Sequence, residues 1–287
     1  MTGLAAAARP DDVVLSLQGV NIASRITSKP LVQGVTFSLR RGRAIGIVGE
    51  SGSGKTLTCR AILGILPKIF QVSRGTIELN GRDVDTFSRK DWSETRGSVI
   101  SGVFQDPASY LNPAMRVGKQ IEEIFRVKGN IPRRSAKAKV LQLFESLHLR
   151  DPELVFEQYP QELSGGMVQR VLIASAVALA PAVLIADEAT TALDVTVQAE
   201  ILDLLVDLQR GTGLALVVVS HDLAVVAQLC DEVLVMRSGE VLESGSVDEI
   251  LGRPRHSYTQ SLVREHGTYG LGRFRNTGEA ERLEHAS

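Results

Sequence analysis

Cysteine is nearly absent from this chain of 287 residues: Cys59 and Cys230 stand far apart, and neither belongs to a C-x-x-C pair. That excludes a disulfide scaffold and a cysteine-based zinc site, and it suits a reducing compartment. Aromatic residues make up only 5% of the chain, and none occurs before Phe37. An excess of charge is missing as well, since 32 basic residues stand against 33 acidic ones. A balance so close to neutral gives no support to a nucleic-acid partner. The 5 histidines are scattered, so no metal cluster is visible. Long apolar runs are also lacking. The nearest approach, "VLIASAVALAPAVLIA" from Val171 to Ala186, falls short of the ~20 residues that a membrane span needs. Pro181 interrupts it and Asp187-Glu188 follow at once, so it reads as a buried helix, a break and a buried strand. The opening "MTGLAAAARP" has no basic start and does not read as a secretion signal.

What is present is a core-forming chain, 44% hydrophobic and 23% charged. Short β-rich runs come first: "VVLSLQ" from Val13, "VTFSLR" from Val35 and "AIGIV" from Ala44. A helix is predicted from Lys55 to about Leu66, with Pro67 as its stop. "GTIELNG" from Gly75 reads as a strand ending in an Asn-Gly turn, and "SVISGVFQ" from Ser98 as another strand. Residues 106–170 are mixed and helical. "AVLIAD" and "LALVVVS" are all-apolar strands with the helix "VTVQAEILDLLVDLQRG" between them. Strands buried on both faces and alternating with helices indicate a parallel sheet covered by helices. The chain therefore reads as an α/β core interrupted by a helical insertion, with loose tails at 1–11 and 265–287.

Gly49-Glu50-Ser51-Gly52-Ser53-Gly54-Lys55-Thr56 matches G-x-x-x-x-G-K-[ST] between a predicted strand and a predicted helix. Successive backbone N–H groups can wrap a phosphate chain only where side chains are small, and the helix start aims its positive end at the same anion. Lys55 would reach the β and γ phosphates of a nucleotide, and the Thr56 hydroxyl would hold Mg²⁺. "AVLIADE" ends a buried strand in two carboxylates, at the sheet edge where ligands of open α/β sheets bind. Asp187 suits the Mg²⁺ shell and Glu188 suits polarising a water. "LSGGMVQR" places Ser164-Gly165-Gly166 before a helix, a capped start that is also a second candidate phosphate grip. His221 ends the strand "VVVSHD" and Gln105 follows the strand "VISGVF"; alone, neither would be singled out.

In this order the set resembles the ATP-binding cassette ATPases: the phosphate loop, Gln105, "LSGGM", "LIADE", "ALD" at Ala192–Asp194, and His221. The likeness covers residues 12–264. It implies a cassette with a RecA-like, mostly parallel sheet core, an N-terminal antiparallel β subdomain and a helical subdomain at about 106–170. It also implies ATP and Mg²⁺ as ligands and a head-to-tail dimer in which Ser164 to Gly166 close on ATP held by a second cassette. Glu188 would be the general base, His221 the γ-phosphate contact and Asp194 a cross-interface contact. Gln105 would join the catalytic set and the Mg²⁺ shell, and would link the site to a docking surface for membrane partners. Two departures stand out. Ala189 replaces the proline usual after the catalytic Glu, which should loosen the turn, and the family's adenine-stacking aromatic is missing, leaving Ile22, Arg25 or Ile26 to cover the base.

"FQDPASYLNP", "LIADEATTALDVTVQAEIL" and "PRHSYTQSL" look like the peptide, opine and nickel uptake subfamily. That likeness implies a subunit on the cytoplasmic face of a bacterial inner membrane. It would pair with a second ATPase and serve two transmembrane permeases and an extracytoplasmic substrate-binding protein. The lack of cysteine after Cys230 and stretches such as "SGKTLTCRAILGILP" are most similar to the nickel-permease ATPase, which puts nickel slightly ahead of small peptides as cargo. The rival class is a soluble ATPase subunit of an enzyme complex, as in carbon–phosphorus lyase, whose accessory ATPases share these motifs.

Overall fold

A computed structural model describes residues 13–104, 110–189 and 193–267. Four strands of the first third pair antiparallel: β1 (Val13–Ser24), β2 (Pro30–Arg40), β4 (Phe70–Leu79) and β5 (Arg82–Asp83). On β2, Val35, Phe37 and Leu39 are buried while the residues between them are exposed, as expected of a sheet with one covered face. The β4–β5 hairpin turns on Asn80 and Gly81, both left-handed at φ 48° and 73°, which matches the right-handed twist of the strands.

The strands β3 (Ala44–Val48), β6 (Ile100–Val103), β7 (Val183–Asp187), β8 (Ala215–Ser220) and β9 (Glu232–Arg237) run parallel, in spatial order β9-β3-β8-β7-β6. Their continuous apolar runs follow from burial on both faces. Leu216 and Val218 enter one core, and Val217 and Val219 enter another. Strand β10 (Glu240–Ser246) is antiparallel to β9 and meets β2 at Glu240 and Gln33. This single pairing joins the two groups into one ten-stranded sheet.

Helix α1 (Lys55–Ile62) follows β3, and α2 (Arg89–Thr95) precedes β6. The helices α3 (Val117–Val127), α4 (Arg133–Ser146), α5 (Pro152–Glu157) and α6 (Gly165–Val177) fill the segment between β6 and β7. They close over Ile121, Phe144, Phe156 and Val171, each fully buried. The others are α7 (Val195–Thr212), α8 (Leu223–Leu229), α9 (Val247–Gly252) and α10 (Ser257–Gly267).

Two expectations need correcting. Helix α1 stops at Ile62, well before Pro67, because Gly64 takes φ 63° and closes the helix. Its N–H bonds the Ala61 carbonyl and the Ile65 N–H bonds the Arg60 carbonyl, a glycine-dependent C-terminal motif. Residues 265–267, predicted as the start of a tail, belong to helix α10, which runs to Gly267 and is anchored by Tyr258 and Leu262 one turn apart on its buried side. The remaining tail residues, 1–11 and 268–287, lie outside the described residues.

Candidate functional site

Because β3, β7 and β8 are parallel neighbours, their C-terminal ends share one edge of the sheet. The loop 49–56, the Asp187-Glu188 pair and His221 all follow directly from those ends. The loop has its glycines where the backbone requires them. Gly49, Gly52 and Gly54 lie at φ 147°, 81° and 103°, a region that side chains disfavour. A Cβ on Gly49 would fall 2.0 Å from the Met236 carbonyl oxygen, so the backbone of β9 presses on the loop from behind. Gly239 donates its N–H to the Ser53 carbonyl at 3.0 Å. Gly54 stands at the N-cap of α1 and supplies no side-chain cap, whereas Asp194 and Asp222 cap α7 and α8. The first N–H groups of α1 are thus left for an anion.

Lys55 is 5% exposed. Its ammonium donates to the carbonyls of Gly49 at 2.7 Å and Glu50 at 2.9 Å, and to Ser53 Oγ at 3.4 Å. Burial draws the Lys55 pKa down, while the carboxylates of Glu188 and Asp187 push it back up. Thr56 Oγ1 donates to Asp187 Oδ1 at 3.3 Å. Burial raises the Asp187 carboxyl above its ordinary range, opposed by the bond from Thr56. A hydroxyl and a desolvated carboxylate facing each other are hard oxygen donors, the kind Mg²⁺ takes one or two of beside phosphate oxygens.

Glu188 is left-handed at φ 52°, rare for a residue with a side chain, and its N–H donates to the Val219 carbonyl at 2.9 Å. That bond pins the turn expected to loosen at Ala189. The Glu188 carboxylate points back across β8, with Oε1 3.6 Å from His221 Nδ1. The His221 side chain is 60% exposed and can meet a ligand.

The second motif forms a separate cluster. Ser164 caps α6 by accepting the Met167 N–H at 3.4 Å, and Asp194 caps α7 by accepting that of Val197 at 3.0 Å. A Cβ on Gly166 would come 2.7 Å from Val197 Cγ1, so the glycine lets these helix starts approach. Arg170 ties the pair further, donating to Glu200 on α7 at 2.7 Å and to the Leu147 carbonyl at 2.9 Å. No hydrogen bond among the described residues joins residues 164–166 or Asp194 to the phosphate loop. Gln105 lies outside the described residues. Ile22 cannot cover a base, because it is fully buried in the core under β1. Arg25 donates to the Phe70 carbonyl at 3.2 Å, while Ile26 is 78% exposed on the β1–β2 turn. The contacts from Met236 and Gly239 behind the loop carry no motif and escaped the sequence reading.

A phosphate loop at the edge of a parallel sheet, with a half-buried Thr56 bonded to a buried Asp187 beside it and a second glycine cluster set apart, defines a nucleotide-binding protein. The family profile described as "ABC transporter" matches residues 32–191. The chain belongs to this family of ATP-hydrolysing cassettes. The oligopeptide transport ATP-binding protein OppD of Bacillus subtilis is 46% identical over 233 residues, 81% of this chain and 65% of that protein. The probable D,D-dipeptide transport ATP-binding protein DdpD of Escherichia coli is 46% identical over 237 residues, 81% of this chain and 72% of that one. The dipeptide transport ATP-binding protein DppD of E. coli is 42% identical over 233 residues, 81% and 71% of the two chains. This chain thus spans about two thirds of the length of those relatives. Among solved structures, cbiO1 from Clostridium perfringens, part of the cbiONQ transporter complex, superposes with a TM-score of 0.74 at 27% identity. The superposition covers 94% of this chain and 100% of cbiO1. The dimeric cassette MJ0796 bound to ADP and Pi gives 0.71 at 25% identity, covering 81% of this chain and 98% of its own. Both share the cassette fold that the motifs predict. Among the described residues no helix is long and apolar enough to cross a membrane.

Proposed function

We propose that this chain is the ATP-hydrolysing subunit of a bacterial importer for small peptides, acting on the cytoplasmic face of the inner membrane. The observation that carries the catalytic reading is the convergence of Lys55, Thr56, Asp187, Glu188 and His221 on one sheet edge. In this reading the backbone of residues 49–56 and the Lys55 ammonium hold the phosphates of ATP. Thr56 and Asp187 hold Mg²⁺, joined by Gln105, and the bound ion offsets charge on the phosphates. Glu188 accepts a proton from the water whose oxygen bonds to the γ phosphorus, as the bond to the β–γ bridging oxygen breaks and ADP leaves. His221 contacts the γ phosphate, and most of the rate comes from positioning and charge stabilisation. Ile26, exposed on the β1–β2 turn, covers the adenine.

The separation of residues 164–166 and Asp194 from the loop supports a head-to-tail pair, in which each cassette completes the other's site. A dimeric cassette among the similar structures is in keeping with this. The partner is a second ATPase cassette, and the pair serves two permeases and an extracytoplasmic binding protein. The cassette itself covers 12–264, with its helical subdomain at 106–170.

For the cargo, the named relatives favour oligopeptides and dipeptides, and nickel, the sequence-based preference, finds no support among them. Uptake of a radiolabelled dipeptide and of radiolabelled nickel in a strain lacking this chain tests the reading. Dipeptide uptake should vanish and return with the wild-type chain but not with Glu188→Gln, while nickel uptake stays constant. Loss of nickel uptake alone would reverse the cargo. Recovery of the chain in a soluble enzyme particle without permeases would overturn the transport reading altogether.

A further inference from the structure

The stretch "RPRHSYTQSL", residues 253–262, has no part in the roles above, yet it packs against the back of the phosphate loop. Tyr258 on α10 is 8% exposed, among Val48, Leu223, Val226, Val233 and Val235. Val48 is the last residue of β3, so this small core lies beneath the point where the loop departs. The Tyr258 hydroxyl accepts the Glu50 N–H at 3.2 Å. The carbonyl of that same peptide, on Gly49, accepts from the Lys55 ammonium at 2.7 Å. One rigid peptide plane is therefore held at both ends, by Lys55 on one side and Tyr258 on the other.

The tyrosine is itself fixed by two strands. Glu243 on β10 accepts the N–H groups of Arg255 at 2.8 Å and His256 at 3.0 Å, which seats the start of α10. From the end of β9, the Arg237 guanidinium lies 4.7 Å from the centre of the Tyr258 ring. A loop with three left-handed glycines has many alternative conformations, and any ordering it needs is charged against ligand affinity. An external clamp on its first peptide reduces that loss.

We propose that Tyr258 is a positioning residue for ATP: it fixes the Gly49–Glu50 peptide, and through it the Lys55 ammonium, in the orientation that receives the phosphates. This rests on the reading that ATP sits on the loop 49–56. Rotation of the peptide would break the Tyr258 bond and the Lys55 bond together, so the two groups hold the loop jointly.

The test uses the full chain, a fluorescent ATP analogue and thermal melts. Tyr258→Phe keeps the ring and removes the hydroxyl; Ile250→Val trims the same small core without touching the loop. Tyr258→Phe should weaken nucleotide binding roughly three- to tenfold, the range of one hydrogen bond, with little change in Tm. Ile250→Val should lower Tm and leave affinity unchanged. Wild-type affinity in Tyr258→Phe would overturn the proposal, as would affinity that tracks Tm in both variants. Failure of the wild-type chain to bind the analogue would overturn the phosphate-loop reading as well.

Discussion

The Thr56 hydroxyl on α1 donates to the Asp187 carboxylate at the end of β7 across 3.3 Å, although 131 positions separate them in the chain. They meet because only β8 lies between β3 and β7, and all three strands point the same way. In the proposed site this pair would offer Mg²⁺ two hard oxygen ligands. Asp187→Asn should therefore abolish most of the Mg²⁺-dependent gain in ATP affinity while retaining metal-free binding. Titration of ATP with Mg²⁺ and with EDTA checks it. An undiminished Mg²⁺ effect would remove Asp187 from the metal site.

The same carboxyl carries a stability cost. Burial holds its pKa above the ordinary value in the folded chain, opposed only in part by Thr56. A raised acid binds its proton more tightly folded than unfolded, so the penalty is absent at low pH and grows as pH rises through the folded value. Without nucleotide, Asp187→Asn should melt at or above the wild-type Tm, with the gap opening as pH rises above the ordinary carboxylate range. A variant less stable than wild type above that range would contradict the assignment. Stability and ligand affinity should thus move in opposite directions at this residue.

Glu188→Gln separates proton transfer from binding. The amide keeps the size of the side chain and the left-handed turn pinned to Val219, but it cannot take a proton. Removing a positioned general base typically costs ~10²–10⁴ in rate, so phosphate release should nearly stop while Mg-ATP stays bound. Gel filtration with Mg-ATP, on the chain with its partner cassette, should show the closed pair persisting. Hydrolysis at the normal rate would end the role given to Glu188.

Ser164→Arg tests the division of the site between two chains. No hydrogen bond among the described residues joins Ser164 to the loop 49–56 of its own chain, so ATP binding to the isolated chain should be unchanged. Loss of the N-cap costs about 1 kcal/mol of stability, too little to unfold a domain of this size. Hydrolysis by the assembled pair should fall sharply, because the arginine occupies space that the neighbour's nucleotide needs. Full activity at both sites would rule out the head-to-tail arrangement.

The parts of the molecule readable from the sequence are those whose physical requirement is met by adjacent residues. The loop 49–56 needs glycines at left-handed positions within a few residues, and its Lys-Thr must open a helix; both demands are written contiguously. The strand "AIGIV" and the capped start at Ser164 are local in the same way, and the order of the motifs was enough to place the family. Elements with weaker local patterns escaped: β9, β10 and the helices α8 to α10 fall where no element had been read.

What only the tertiary structure decided depends on which strands become neighbours. The Thr56–Asp187 bond, the 3.6 Å approach of His221 to Glu188 and the pressure of Met236 behind Gly49 all follow from the order β9-β3-β8-β7. The burial of Ile22 was fixed by the pairing of β1 with β2 and β4, which took it out of reach of a ligand. Tyr258 stands 208 positions from the peptide it holds. Apolar periodicity tells a strand which face to bury but not which strand will lie beside it. That choice is made by packing over the whole sheet, and the geometry of the site is set by it.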